Sequence, residues 1–194
     1  MDELHFMRKV KSASFATISK GLPEIRIMYV MLKINKLYFI TARGKAIFKQ
    51  LKENPHVAVI VMNDNYKTVR VKGKIEFVGR EFVDKIFAAN PMLLDLHPDG
   101  KSDIVETFCL PSGKEEVFDL SSKPPRYNFT FGNVTKEKVG YEITVKCIEC
   151  GICKDACPVH AINKGTPYEI NQSICLRCGR CFEQCPNNAI EENN

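Results

Sequence analysis

Eight of the nine cysteines in this 194-residue chain fall in its last quarter, in two runs of identical spacing. One is Cys147-Ile-Glu-Cys150-Gly-Ile-Cys153-Lys-Asp-Ala-Cys157-Pro158. The other is Cys175-Leu-Arg-Cys178-Gly-Arg-Cys181-Phe-Glu-Gln-Cys185-Pro186. The two repeat at an offset of 28, and the match extends past the cysteines. Gly151 corresponds to Gly179 and Ala161-Ile162 to Ala189-Ile190, while Ile143 corresponds to Ile170 at an offset of 27. An internal repeat of this kind predicts a small pseudo-twofold α+β unit over residues 140–194.

The spacing constrains the chemistry. A cubane needs four thiolates converging from different directions. Three fit one tight loop, with a glycine letting the backbone curl close to the inorganic core. A fourth, followed by proline, has to come from elsewhere. Zinc sites use paired C-x2-C units separated by a longer loop, and disulfides are rare in a reducing compartment. Three cysteines within seven residues, twice, therefore point to 4Fe–4S clusters. The segment resembles bacterial two-cluster ferredoxins throughout. That resemblance implies Cys147, Cys150, Cys153 and Cys185 on one cluster, and Cys175, Cys178, Cys181 and Cys157 on the other. The ninth cysteine, Cys109, sits in Ile104-Val-Glu-Thr-Phe-Cys-Leu110, a strand-like run where a lone thiol reads as a small core residue.

Charge is divided unevenly. Residues 1–139 carry +7 and residues 140–194 carry −2, within a total of +5. No basic run, zinc finger or aromatic–basic stripe points to nucleic acid. No apolar run reaches the ~18 residues of a membrane span, and Met1-Asp2-Glu3-Leu4-His5 lacks a signal-peptide layout. The expectation is a cytoplasmic protein that binds neither nucleic acid nor membrane.

Residues 1–131 read as one mainly β domain, followed by a polar linker over 132–139. Leu4, Met7 and Val10 suggest a short helix over residues 2–11. Strands are expected at 14–18, 24–32, 36–41, 56–62, 68–78, 103–110, 115–120 and 126–131. Helices are expected at 44–53, stopped by Asn54-Pro55, and at 80–89, before Asn90-Pro91. In the 68–78 strand Val69, Val71, Ile75 and Phe77 face one way, and Arg70, Lys72, Lys74 and Glu76 the other. Many strands with few helices imply an antiparallel barrel.

Polar residues stand out against this pattern. Lys45 and Lys49 are spaced to share a helix face, with Lys45 in the first turn, where backbone N–H groups favour phosphate. Arg26 interrupts the apolar run from Ile25 to Leu32 and needs an anionic partner. Plainer readings stand beside these: a solvated face for Lys45, Lys49 and Lys52, a pair between Arg26 and Glu24, and simple exposure for Arg70 and Lys72. The histidines His5, His56, His97 and His160 are scattered, with His97-Pro-Asp-Gly100 reading as a turn. No Walker loop, dinucleotide fingerprint or catalytic triad is present, and no catalytic residue is assigned.

The first 130 residues resemble the pyridoxamine 5′-phosphate oxidase-like, FMN-binding split-barrel family. The order and spacing of several pieces carry the likeness: Phe15-Ala-Thr-Ile-Ser19, Arg26-Ile-Met28, Leu37-Tyr-Phe-Ile-Thr41, Lys45-x3-Lys49-Gln-Leu51-x2-Asn54-Pro55-His-Val57, and Val69-Arg70-Val71-x-Gly73-Lys74. The resemblance implies an antiparallel split barrel, a homodimer, and FMN at the subunit interface. Its flavin contacts would be Arg26, Ile27, Met28, Thr41, Lys45 and Lys49, with Arg70 from the same sheet or the second subunit. Two departures matter. The B6 oxidases have an Arg-Lys pair where this chain has Arg43-Gly44-Lys45, and they end in a substrate-binding Arg-x-His absent here. Oxidation of pyridoxamine phosphate is therefore not expected.

Together the halves predict an oxidoreductase, of flavin-reductase or nitroreductase type, passing electrons between two 4Fe–4S clusters and FMN. An external electron-transfer protein and a small-molecule substrate would be its partners. A pure electron-transfer module, or a sensor whose barrel holds haem or a deazaflavin, are the alternatives.

Overall fold

The structure is a computed structural model that describes residues 10–96, 103–122, 125–135 and 138–193. The expected helix over 2–11 and the turn at His97 lie outside the described residues. The chain divides into two compact units, one of Met1–Glu116 with Asn128–Thr135, the other of Val117–Tyr127 with Lys136–Asn194.

Alternation builds the strands of the first unit. In β1 (Ser12–Ser19) the buried positions are Ala13, Phe15 and Thr17, and in β4 (His56–Met62) they are Val57, Val59 and Val61. Period-2 burial of this kind fits a sheet with one covered face. The other strands are β2 (Leu22–Lys33), β3 (Lys36–Ala42), β5 (Thr68–Lys74), β6 (Glu76–Phe77), β7 (Val105–Leu110), β8 (Gly113–Phe118) and β9 (Arg126–Phe131). They form one sheet in the order β6-β7-β3-β2-β1-β4-β5-β8-β9. The long β2 joins its two halves. Residues up to Tyr29 pair antiparallel with β1, and Val30–Lys33 pair antiparallel with β3. The result is a mainly antiparallel split barrel with few helices.

The core is aromatic. Phe15, Phe39 and Phe108 are fully buried, with ring centroids 4.6 Å apart for Phe15–Phe39 and 5.3 Å for Phe39–Phe108. Burying each contributes about 1.5–3 kcal/mol. Helix α2 (Val83–Ala89) covers the other face of β3 and β7, placing Val83, Ile86 and Phe87 against Tyr38, Val105 and Cys109.

The structure departs from the sequence-based expectation at three places. The 68–78 strand breaks at Ile75, whose N–H donates to Pro55 O, and β6 then pairs with β7 instead of β4. Helix α1 (Ala46–Glu53) leaves Lys45 as its extended N-cap (φ −80°, ψ 147°) and not a first-turn residue. A short helix, α3 (Met92–Leu96), follows Asn90-Pro91 where none was expected. Among the described residues no helix is long and apolar enough to cross a membrane.

The cysteine-rich segment is small and doubled. Strand β10 (Gly140–Ile143) pairs with β13 (Ile190–Asn193), and β11 (Ile162–Asn163) with β12 (Glu169–Ile170). Ile143 lies opposite Ile190, and Ile162 opposite Ile170. These four isoleucines are the repeat-related positions of the sequence, so each ladder pairs one repeat with the other. They form the core with Tyr168, Cys153 and Cys181.

Candidate functional site

Two groups of residues carry the chemistry, one in each unit. In the cysteine-rich segment none of the eight cysteines is joined in a disulfide. Cys147, Cys150, Cys153 and Cys185 line one cavity, with Ile143, Tyr168 and Ile190. Cys157, Cys175, Cys178 and Cys181 line a second, with Tyr141, Ile162 and Ile170. The last cysteine of each run thus faces the cavity of the other run. Each cavity is lined by four cysteines and, among the described residues, by no His, Asp or Glu, an all-sulfur donor set that fits an iron–sulfur cluster.

The backbone shapes both cavities alike. Glu149 N donates to Cys147 Sγ at 3.4 Å and Arg177 N to Cys175 Sγ at 3.3 Å. Ala161 N and Ala189 N donate to Cys157 Sγ and Cys185 Sγ, each at 3.2 Å. Amides aimed at sulfur stabilise thiolates and tune cluster potentials. These loops need left-handed residues: Glu149 and Arg177 (φ 59° and 56°), Gly151 and Gly179 (84° and 77°), His160 and Asn188 (53° and 47°). Non-glycine residues there store backbone strain that the surrounding loop must hold. Burial pushes the Cys153 thiol up, and the Cys181 thiol up to about 11. A thiol must lose its proton to ligate a metal, so metal binding at these cysteines would release protons.

In the barrel unit Arg26 lies on β2. Its Nη1 donates to Thr17 Oγ1 and to Gln50 Oε1, both at 2.9 Å, and Thr17 Oγ1 donates to Gln50 Oε1 at 2.8 Å. Nη2 donates to Glu24 Oε2 at 2.6 Å. Thr41 is buried on β3, and its hydroxyl has no hydrogen-bond partner among the described residues. An orphan at that depth costs about 1–3 kcal/mol, which a bound polar group would recover. Met28 is buried, Ile27 is 69% exposed, and Lys45 and Lys49 are exposed.

Not every expected contact is brought together. The register sets Ile27 opposite Ser14, Ser14 opposite Ile60, and Ile60 opposite Arg70. Directly opposed residues share a face, so Arg70 sits on the outer face with Ile27. Arg26, the neighbour of Ile27, turns to the other side. Arg70 donates instead to Glu116 at 3.0 Å. Sequence reasoning also missed Thr17 and Gln50. The one available signal was polarity on a covered face: Gln50 shares the buried side of α1 (Ala46–Glu53) with Ile47 and Leu51.

Comparison with known proteins agrees with both halves. Residues 3–103 match the family model described as pyridoxamine 5′-phosphate oxidase, and residues 146–190 that of a 4Fe-4S dicluster domain. A ferredoxin of Butyribacterium methylotrophicum is 54% identical over 34 residues, 18% of this chain and 62% of the ferredoxin. The chain thus spans under two thirds of that curated relative. A NimC/NimA family protein from Clostridium acetobutylicum superimposes with a TM-score of 0.57 at 22% identity, covering 66% of this chain and 90% of that one. A protein from the same organism, related to general stress protein 26 of B. subtilis (pyridoxinephosphate oxidase family), gives 0.52 at 14% identity, over 68% and 92%. At these identities the likeness shows the fold.

Proposed function

The chain belongs to the pyridoxamine 5′-phosphate oxidase family through residues 3–103, and on that premise we propose that it is an FMN- and iron–sulfur-dependent oxidoreductase acting on a small molecule. Its split barrel is fused to a 4Fe-4S dicluster domain, a pairing that serves redox electron transfer. The observation that carries the reading is the sorting of eight cysteines into two cavities of four, each completed by the other run's last cysteine.

When bound, a flavin exchanges electrons singly or in pairs, whereas iron–sulfur clusters pass them one at a time. The chain's own residues bind and orient. Cys147, Cys150, Cys153 and Cys185 would hold one 4Fe–4S cluster, and Cys157, Cys175, Cys178 and Cys181 the second. The amides of Glu149, Ala161, Arg177 and Ala189 steady four of the sulfurs. Arg26, Lys45 and Lys49 would hold the flavin phosphate, at the positive end of the α1 dipole beside Lys45. The Thr41 hydroxyl and the Ile27–Met28 backbone would contact the ring system.

A homodimer is part of the proposal. The outer sheet face sets Ile25 and Ile27, about 70% exposed, beside Ala16, Ala58 and Ile60. This face, apolar but for Ser14 between Ile27 and Ile60, supports cover by a second copy, with Arg70 at its edge available to the partner's flavin. The clusters would trade electrons with an external carrier protein, in keeping with a cytoplasmic location.

Anaerobic purification with iron, sulfide and flavin quantitation tests this reading. About eight irons and one FMN per chain are expected. A zinc-only preparation would overturn the cluster assignment, and haem or a deazaflavin in place of FMN would turn the barrel assignment toward sensing.

A further inference from the structure

We infer that Thr17 and Gln50 are positioning residues that lock Arg26 for phosphate, and that Glu24 is a built-in competitor which the phosphate must displace. The inference rests on the proposal that Arg26 takes the FMN phosphate.

The geometry divides the guanidinium in two. Nη1 is pinned by Thr17 Oγ1 and Gln50 Oε1, both at 2.9 Å, and those two atoms are themselves joined at 2.8 Å. Thr17 is 2% and Gln50 5% exposed, so the triangle is held by packing from β1 and α1. Both partners are neutral. They fix the orientation of the cation without cancelling its charge.

The other amino group, Nη2, meets Glu24 Oε2 at 2.6 Å. Glu24 is two residues away on β2, so both side chains leave the same strand face. The Glu24 side chain is 45% exposed against 23% for Arg26. A partly exposed ion pair is worth little, whereas a phosphate offers a doubly charged, multidentate acceptor to the same group. Glu24 therefore competes with any anion at this site, and a phosphate monoester, with its greater charge, displaces it more readily than a singly charged ligand would.

The test is titration of flavin-stripped, full-length chain with FMN and with riboflavin, which lacks the phosphate. Glu24→Gln, at an exposed position, is expected to bind FMN roughly two- to fivefold tighter and riboflavin unchanged. Thr17→Val and Gln50→Leu are expected to weaken FMN on the order of tenfold and leave riboflavin alone, with Thr17→Ser restoring FMN binding. A purely structural role would weaken both flavins together, and that result would overturn the positioning claim. Arg26→Ala separates the two levels of the argument. If it leaves FMN affinity unchanged, the phosphate assignment itself fails. If it weakens FMN while Glu24→Gln has no effect or weakens it too, the assignment stands and the competitor role is refuted.

Discussion

Gly151 and Gly179 occupy equivalent places in the two cysteine loops and share one left-handed backbone conformation, φ 84° and 77°. Each is the N-cap of a short helix, α4 (Ile152–Ala156) and α5 (Arg180–Glu183). The surroundings differ. A Cβ on Gly179 would lie 3.0 Å from Tyr141 Oη, whereas one on Gly151 would lie 4.0 Å from Tyr168 Oη. Alanine at either position costs about 1–2 kcal/mol of backbone strain, and at Gly179 it adds a steric term. Reconstitution with iron and sulfide should therefore load Gly179→Ala less than Gly151→Ala. Adding Tyr141→Phe should return Gly179→Ala to the Gly151→Ala level. Equal loading of the two single variants would refute the asymmetry.

The crossing of the last cysteines makes a sharper forecast about iron content. Cys147→Ala with Cys185→Ala removes two ligands that line one cavity, and about half of the eight irons should remain. Cys147→Ala with Cys157→Ala takes one ligand from each cavity, and both clusters should be lost. Iron analysis together with low-temperature EPR of the reduced protein reads the difference. The reverse outcome would mean that each run serves its own cluster.

What was legible in the sequence follows from how local its causes are. The cysteine loops are set by spacing within eleven residues, so the doubled segment and its internal repeat stand in plain view in the sequence. Strands such as β4 (His56–Met62) were legible because alternation is a nearest-neighbour property. The break at Ile75 was not, since its cause is a hydrogen bond to Pro55, twenty positions away. The Arg26 triangle hides for the same reason. Thr17 and Gln50 are distant in sequence and meet only once β1 packs on α1. Arg70 is hidden in the same way: it belongs to the same run of motifs as Arg26, but strand register sets the two on opposite faces of the sheet.

Cys109 is expected to be chemically quiet. It is buried against Tyr38, its register partner across β3 and β7, and burial pushes its thiol above the ordinary range. A raised folded-state value favours the protonated form. Its contribution to stability is therefore present below the unfolded thiol value of about 8.5 and is lost as pH rises through the folded value. The native protein should leave this thiol unlabelled by iodoacetamide at pH 7.5. Unfolding temperature should fall with pH above about 9, and less steeply in Cys109→Val. Rapid native labelling, or identical alkaline slopes, would count against this account.

Close packing of strands sets the last expectation. Gly73 lies in β5 where an added Cβ would come 2.5 Å from Ser112 O and 2.8 Å from Leu110 Cδ1. The first of these is backbone between two strands of the same sheet and has little room to retreat. Gly73→Ala should therefore cost about 3 kcal/mol, the upper end of overpacking. Gly44 is the matched control, because a Cβ there meets nothing within 4 Å and its φ is not left-handed. Gly44→Ala should be neutral or stabilise by up to about 1 kcal/mol through the unfolded chain. Denaturant melts of the two variants compare them directly. Similar midpoints would mean that β5 and the Leu110–Gly113 turn can separate without loss, so that their close approach is incidental to the barrel.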